Sequence, residues 1–140
     1  MGKLRHISVK SPDPIRAADE FARLFGCTIM RRDVEKQMAQ VTDGYMFVAI
    51  SKALDGDGRQ SGTVDHFGFY VDDLAATKSK ADEAGLPVAR QSTPQVPFHE
   101  SSAGWSLEFR ERGWAESIGS HTELLELQVA QDQTPKTLQV

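Results

Sequence analysis

The sequence predicts an α+β chain built from two copies of one βαβββ module. Three observations carry this. LRHISVKSPDP (Leu4–Pro14) and VDHFGFYVDDL (Val64–Leu74) read as matching short strands with a histidine third, and His66 follows His6 by 60 positions. DGYMFVAI (Asp43–Ile50) and AGWSLEF (Ala103–Phe109) each pass from a glycine through an aromatic into a strand, and Gly104 follows Gly44 by the same 60. Between these landmarks each copy has one helix signal and three strand-type runs. Two independent landmarks at one offset define an internal repeat.

The elements follow in order. After the first strand, Asp13 suits an N-cap and Pro14 the first helical position. Ala18, Phe21, Leu24 and Phe25 then form an apolar face at helical spacing, and Gly26 ends the helix. The runs CTIMRRDV, QMAQVTD and YMFVAI read as three strands, completing a module over about residues 3–53. Leu54–Thr63, rich in Gly and Asp, is the linker. In the second module, about 64–114, Asp72 or Asp73 caps a helix with a weaker apolar face of Leu74, Ala81 and Ala84. PVARQST, QVPFHES and WSLEFRE are its strands. The tail, 115–140, has no counterpart; Thr122–Val129 reads as a strand or a short helix, followed by a polar, loosely ordered end.

Composition excludes several functions. With 16 basic and 20 acidic residues the net charge is −4, which is not the footprint of a nucleic-acid binder. No apolar run approaches the roughly 20 residues of a membrane span, and the N-terminus has no long apolar segment of a secretory signal. One cysteine, Cys27, cannot form an internal disulfide and reads as buried and unreactive, which suits a cytoplasmic protein.

Equivalent positions of the repeat point to chemistry. The opening strands offer His6 and His66; four residues after the shared glycines stand Val48 and Glu108. Two modules packed about a pseudo-twofold axis bring His6, His66 and Glu108 together, with Val48 as a fourth corner that is not a ligand. Two histidines and a carboxylate suit a divalent Fe, Mn or Zn ion with open coordination positions. Strand alternation places the three on the more polar faces, with Met46, Val48 and Ile50 as an apolar wall. Arg110 and Tyr70 are suited to hold an anionic or phenolic group. Glu126, in ELLELQ, is the rival third ligand, but it is out of phase with the repeat. Trp105 and Trp114 are candidates for the pocket mouth or a dimer contact, and His121 has no assigned role.

RHISV, DHFGFYVDDL, the EAG helix end and the Gly-x-x-x-Glu of the last strand resemble the vicinal oxygen chelate superfamily, over about Lys3 to Trp114. That superfamily includes glyoxalase I, extradiol dioxygenases, bleomycin-resistance proteins and fosfomycin-resistance enzymes. The resemblance implies an open eight-stranded barrel around a metal, with His6, His66 and Glu108 as ligands, and a homodimer. Val48 stands where glyoxalase I has a fourth ligand. Phe98 and His99 stand on the strand where extradiol dioxygenases carry a tyrosine, so His99, with Tyr70, is the catalytic candidate, and Arg110 the substrate-binding one. The expected function is a metal-dependent dioxygenase-like or lyase-like enzyme for a small oxygenated substrate. The alternative is a metal-free binding protein of the bleomycin-resistance type.

Overall fold

The computed structural model describes residues 2–53, 60–93, 96–111 and 122–133. The first module contains β1 (Lys3–Ser11), α1 (Pro14–Phe25), β2 (Thr28–Asp33), β3 (Met38–Thr42) and β4 (Phe47–Lys52). The second contains β5 (Val64–Val71), α2 (Leu74–Glu83), β6 (Val88–Thr93), β7 (Val96–Glu100) and β8 (Ser106–Glu111). The tail's Thr122–Gln133 is a helix, α3, which settles strand against helix there.

All eight strands form one open sheet in the order β2-β3-β4-β1-β5-β8-β7-β6. Within each module the first and last strands run parallel, β1 with β4 and β5 with β8. The modules meet at the antiparallel β1–β5 pair. The architecture is therefore the α+β, twice-βαβββ arrangement that the repeat predicts.

Local chemistry sets the helices. Asp13 Oδ1 accepts from the Arg16 N–H at 3.0 Å, Pro14 begins α1, and Gly26 closes it at φ 69°. Asp73, rather than Asp72, caps α2, its Oδ1 accepting from the Ala76 N–H at 2.8 Å. Asp13→Ala should cost about 1 kcal/mol, the usual value of an N-cap. Urea unfolding should show this as a lower midpoint at unchanged slope.

The core lies under α1, where buried Ala18 meets Ala39, Val41 and Ile50, with Ile15, Ala17 and Phe21 packed around them. The helix face sits closer to its N-terminus than its spacing predicts: Leu24 and Phe25 are exposed. The last turn stands over a cavity of about 210 Å³ that Phe21, Phe25, Cys27, Met46 and Val48 help to line. Cys27 is half-buried rather than buried. Beneath the weaker α2, only Ala81 is buried.

The repeat is not uniform. β2 and β6 begin at 28 and 88, 60 apart, but β3 and β7 begin at 38 and 96, 58 apart, and β4 and β8 at 47 and 106, 59 apart. The β6–β7 connection is shorter than β2–β3, and β7–β8 is longer than β3–β4. Gly44 and Gly104 share a positive φ and the 60 offset, yet the strands after them do not. Phe47 pairs with His6, whereas Ser106 pairs with His66. Glu108 lies opposite Gly68, and its register counterpart is Ala49, opposite Ser8.

This corrects the placement of Val48. A one-residue slip moves a side chain to the other sheet face, and Val48 packs on the core beneath α1. Met46 goes with it. The fourth corner is Ala49, equally unable to bind a metal.

Two bulges complete the frame. β1 passes from Leu4 to His6 while β5 passes from Phe69 to Gly68, so Arg5 is the extra residue. Then β5 passes from His66 to Val64 while β1 passes from Ser8 to Val9, so Asp65 is the extra residue. Bulges break alternation and re-aim side chains. Each places a charged residue beside its histidine, and the two are themselves 60 apart.

Candidate metal centre

β1, β5 and β8 are neighbours, so His6, His66 and Glu108 come together from adjacent strands. His6 Nε2 lies 2.9 Å from His66 Nε2 and 3.4 Å from Glu108 Oε2. His66 Nε2 lies 3.5 Å from the same oxygen. With metal bonds of about 2.1 Å, donors in octahedral or tetrahedral sites stand about 3.0–3.4 Å apart. The three donors fit one divalent ion, and their atoms share one small space.

The ring positions are fixed by packing. His6 stacks on Phe47, centroids 4.8 Å apart and planes 18° off parallel. Its other side lies over Gly68, where any Cβ would collide with the imidazole Cε1 and Nδ1. His66 meets Phe98 edge-on at 4.8 Å. Above the donors opens a cavity of about 320 Å³. Phe47, Ala49, Ile50 and Phe98 give it apolar walls, and Met38 and Gln40 reach it from β3. Residues from β3 through β7 thus surround one space, as a curled, unclosed sheet requires.

The site is densely charged. Arg5, 2% exposed, donates from Nη2 to Glu108 Oε2 at 2.8 Å and from Nε to His6 Nδ1 at 2.9 Å. Arg110 donates to Glu108 Oε1 at 2.8 Å. Asp65 Oδ2 is 2.7 Å from His66 Nδ1 and accepts from Arg90 Nη2 at 2.6 Å. The Arg90 guanidinium lies 4.3 Å from the centre of the Phe98 ring.

These contacts set the ionisation. Burial opposes charge on Glu108, but His66, Arg5, His6 and Arg110 outweigh it and hold the carboxyl far below its ordinary range. Asp65 is likewise held low, burial being overcome by His66 and Arg90. Burial and the Arg5 charge hold His6 well below the ordinary imidazole value. For His66, burial pulls downward, but Asp65 and Glu108 leave it raised.

A divalent ion at these donors would need both imidazoles neutral. Its binding would therefore fade on acidification through the raised His66 value. Asp65→Asn should move the His66 titration down, followed through its imidazole proton resonances. It should also weaken metal binding about 10–100-fold, the usual effect of losing a carboxylate behind a histidine ligand. An unmoved titration would remove Asp65 from this role.

The other candidates fall differently. Arg110 lines the cavity, paired to Glu108. Tyr70 is buried next to Arg5, whose guanidinium carbon lies 5.3 Å from its ring centre, and burial raises its phenol pKa. It does not line the cavity. His99 is on the opposite sheet face: its ring lies 5.4 Å from Phe109, and its Nδ1 is 3.3 Å from the Leu86 carbonyl. The strand presents Phe98 to the cavity instead. Glu126 is exposed on α3 and is not one of the three gathered donors. Trp105 stacks edge-on with Phe67 at 5.2 Å and does not line the cavity. Trp114, His121 and most of the linker lie outside the described residues.

Sequence reasoning missed Arg5, Asp65, Arg90 and Gly68. The first two had a signal, since positions 5 and 65 repeat like the histidines that follow them. α3 was also missed as a brace. Gln131, fully buried, donates from Nε2 to the Leu4 carbonyl at 2.8 Å and the Tyr45 carbonyl at 2.9 Å. It ties β1, just before the Arg5 bulge, to the loop leading into Phe47.

No family model and no curated protein matches the sequence. Solved structures do match. A hypothetical protein, BH1468, from Bacillus halodurans C-125 superposes with a TM-score of 0.62 at 17% identity, covering 79% of this chain and 94% of that one. Methylmalonyl-CoA epimerase from Streptomyces coelicolor, in complex with 2-nitronate-propionyl-CoA, gives 0.62 at 14% identity over 78% and 96%. The Mycobacterium tuberculosis epimerase gives 0.61 at 16% over 83% and 91%. At such identities the likeness speaks to fold, and with the paired modules and the open sheet it shows that the chain has the vicinal oxygen chelate fold.

Proposed function

We propose that this chain is a metal-dependent enzyme acting on a small substrate with two neighbouring oxygens. The observation that carries the reading is the meeting of His6 Nε2, His66 Nε2 and Glu108 Oε2 at one cavity floor. Three protein donors leave coordination positions for both substrate oxygens. A bound divalent ion supplies Lewis acidity toward those oxygens, and redox chemistry with dioxygen if it is iron.

The chain's own residues do the rest. Asp65 fixes the His66 ring, and Phe47 packs against that of His6. Phe47 and Phe98 give the charged floor apolar walls that limit its access to water. Arg5 and Arg110 make the cavity favour an anionic or enolised substrate. A space of about 320 Å³ suits an acyl-sized group, not a whole coenzyme A ester like that in the epimerase neighbour.

The test is metal analysis of protein purified without chelator, beside His66→Ala, followed by catechol titration of the Fe(II)-, Mn(II)- and Zn(II)-loaded forms. One metal per chain, lost in His66→Ala, with catechol binding that requires metal, supports the reading. Oxygen uptake then separates dioxygenase-like from lyase-like turnover. Failure to bind any of the three ions even with catechol present overturns it. One observation favours the metal-free binding protein as second reading: two arginines already satisfy Glu108 without an ion.

A further inference from the structure

The hydrogen-bond directions around the triad treat its two histidines differently. A neutral imidazole has one N–H and one lone pair. Arg5 Nε–H points at His6 Nδ1 from 2.9 Å, so that nitrogen must be the acceptor. The His6 proton is then on Nε2, the atom facing the centre of the triad. His66 is the reverse. Its Nδ1 lies 2.7 Å from Asp65 Oδ2, and Asp65, ionised beside Arg90, can only accept. Its proton is therefore on Nδ1, leaving a lone pair on Nε2. The 2.9 Å contact between the two Nε2 atoms becomes a hydrogen bond from His6 to His66. The directions run without conflict from Arg5 through His6 and His66 to Asp65.

His66 thus stands ready to bind a metal and His6 does not. The same Arg5 side chain donates to Glu108 Oε2, a second donor of the triad. We propose that Arg5 is an internal competitor for the metal, holding His6 in the tautomer that cannot ligate and covering the Glu108 oxygen that should. A divalent ion enters only when the guanidinium releases both contacts, and the His6 proton passes from Nε2 to Nδ1. An anionic group arriving in the cavity offers Arg5 another partner. Metal and anionic substrate therefore reinforce each other's binding.

The inference rests on the metal-centre reading, and its test separates the two. Long-range proton–nitrogen NMR on metal-free protein, well above the ordinary histidine titration range, reads each tautomer directly. His6 should carry its proton on Nε2 and His66 on Nδ1; a His6 proton on Nδ1 overturns the proposal. Chelator competition with Zn(II) and Mn(II) then compares wild type with Arg5→Met, which should bind at least about tenfold more tightly, the factor that one competing charge-assisted hydrogen bond is worth. Arg5→Lys keeps a cation near Glu108 but cannot reach both donors, so it should also bind more tightly, and it serves if Arg5→Met does not fold. Tight binding by wild type, unchanged in a folded Arg5 variant, overturns the competitor role and leaves the metal centre standing. No binding by wild type or either variant overturns the metal centre and the competitor role together.

Discussion

Gly68→Ala should abolish metal binding at the proposed centre while the protein still folds. The added Cβ would occupy space held by the His6 ring, overlapping Cε1 and Nδ1. The ring cannot retreat, because Phe47 stacks on its other side. Either β5 shifts or His6 leaves its rotamer, and either way one donor moves off the other two. Metal affinity should fall by about 100-fold or more, since a first ligand is lost where a supporting contact alone is worth about 10–100-fold. Stability should fall by about 1–3 kcal/mol, the usual cost of overpacking. Metal titration beside urea unfolding reads both. Affinity within twofold of wild type would show that His6 is not needed in its present place.

Glu108→Gln should give the largest loss of stability among single changes at the site. The substitution keeps the shape and removes the charge that Arg5 and Arg110 share. Both guanidiniums then lose this carboxylate, and removing one partner of a buried pair costs about 3–5 kcal/mol. The double variant Arg5→Met with Glu108→Gln should recover part of this, because it also removes a buried charge that has lost its carboxylate; a double-mutant cycle measures the coupling. The acid limb should change too. A carboxylate depressed on folding contributes stability that is complete above its unfolded pKa and is lost as pH falls toward the folded value. Wild type should lose this increment below the ordinary glutamate range, and Glu108→Gln should not. Additive effects in the cycle would mean that Arg5 and Glu108 do not act as a pair.

The fold and the gathering of the triad were legible because they depend on long-period features. His6 and His66 share a position in the repeat, and neighbouring strands make that repetition a contact in space. What the sequence hid depends on single residues. Val48 was misplaced because loops of unequal length shift β4 and β8 by one position, and one position reverses a strand's faces. Arg5 and Asp65 were overlooked because alternation sends the neighbours of a strand histidine away from it, and a bulge suspends alternation. Gly68 resembles any strand glycine until the ring lying on it is seen. His99 follows the same logic in reverse: it is the strand's histidine, but its neighbour Phe98 faces the cavity.

The seam between β1 and β5 also governs how the site comes into being. Its donors come from positions 6, 66 and 108, and the last belongs to a strand that pairs with β5, not β1. A growing chain emerging from the ribosome can complete the first module early. β1 then presents one bare edge until β5 follows it out, and unpaired edges invite association with other chains. The last donor arrives only once residue 108 has emerged. Neither half-chain can build the centre, so ion capture would report that both halves have found each other.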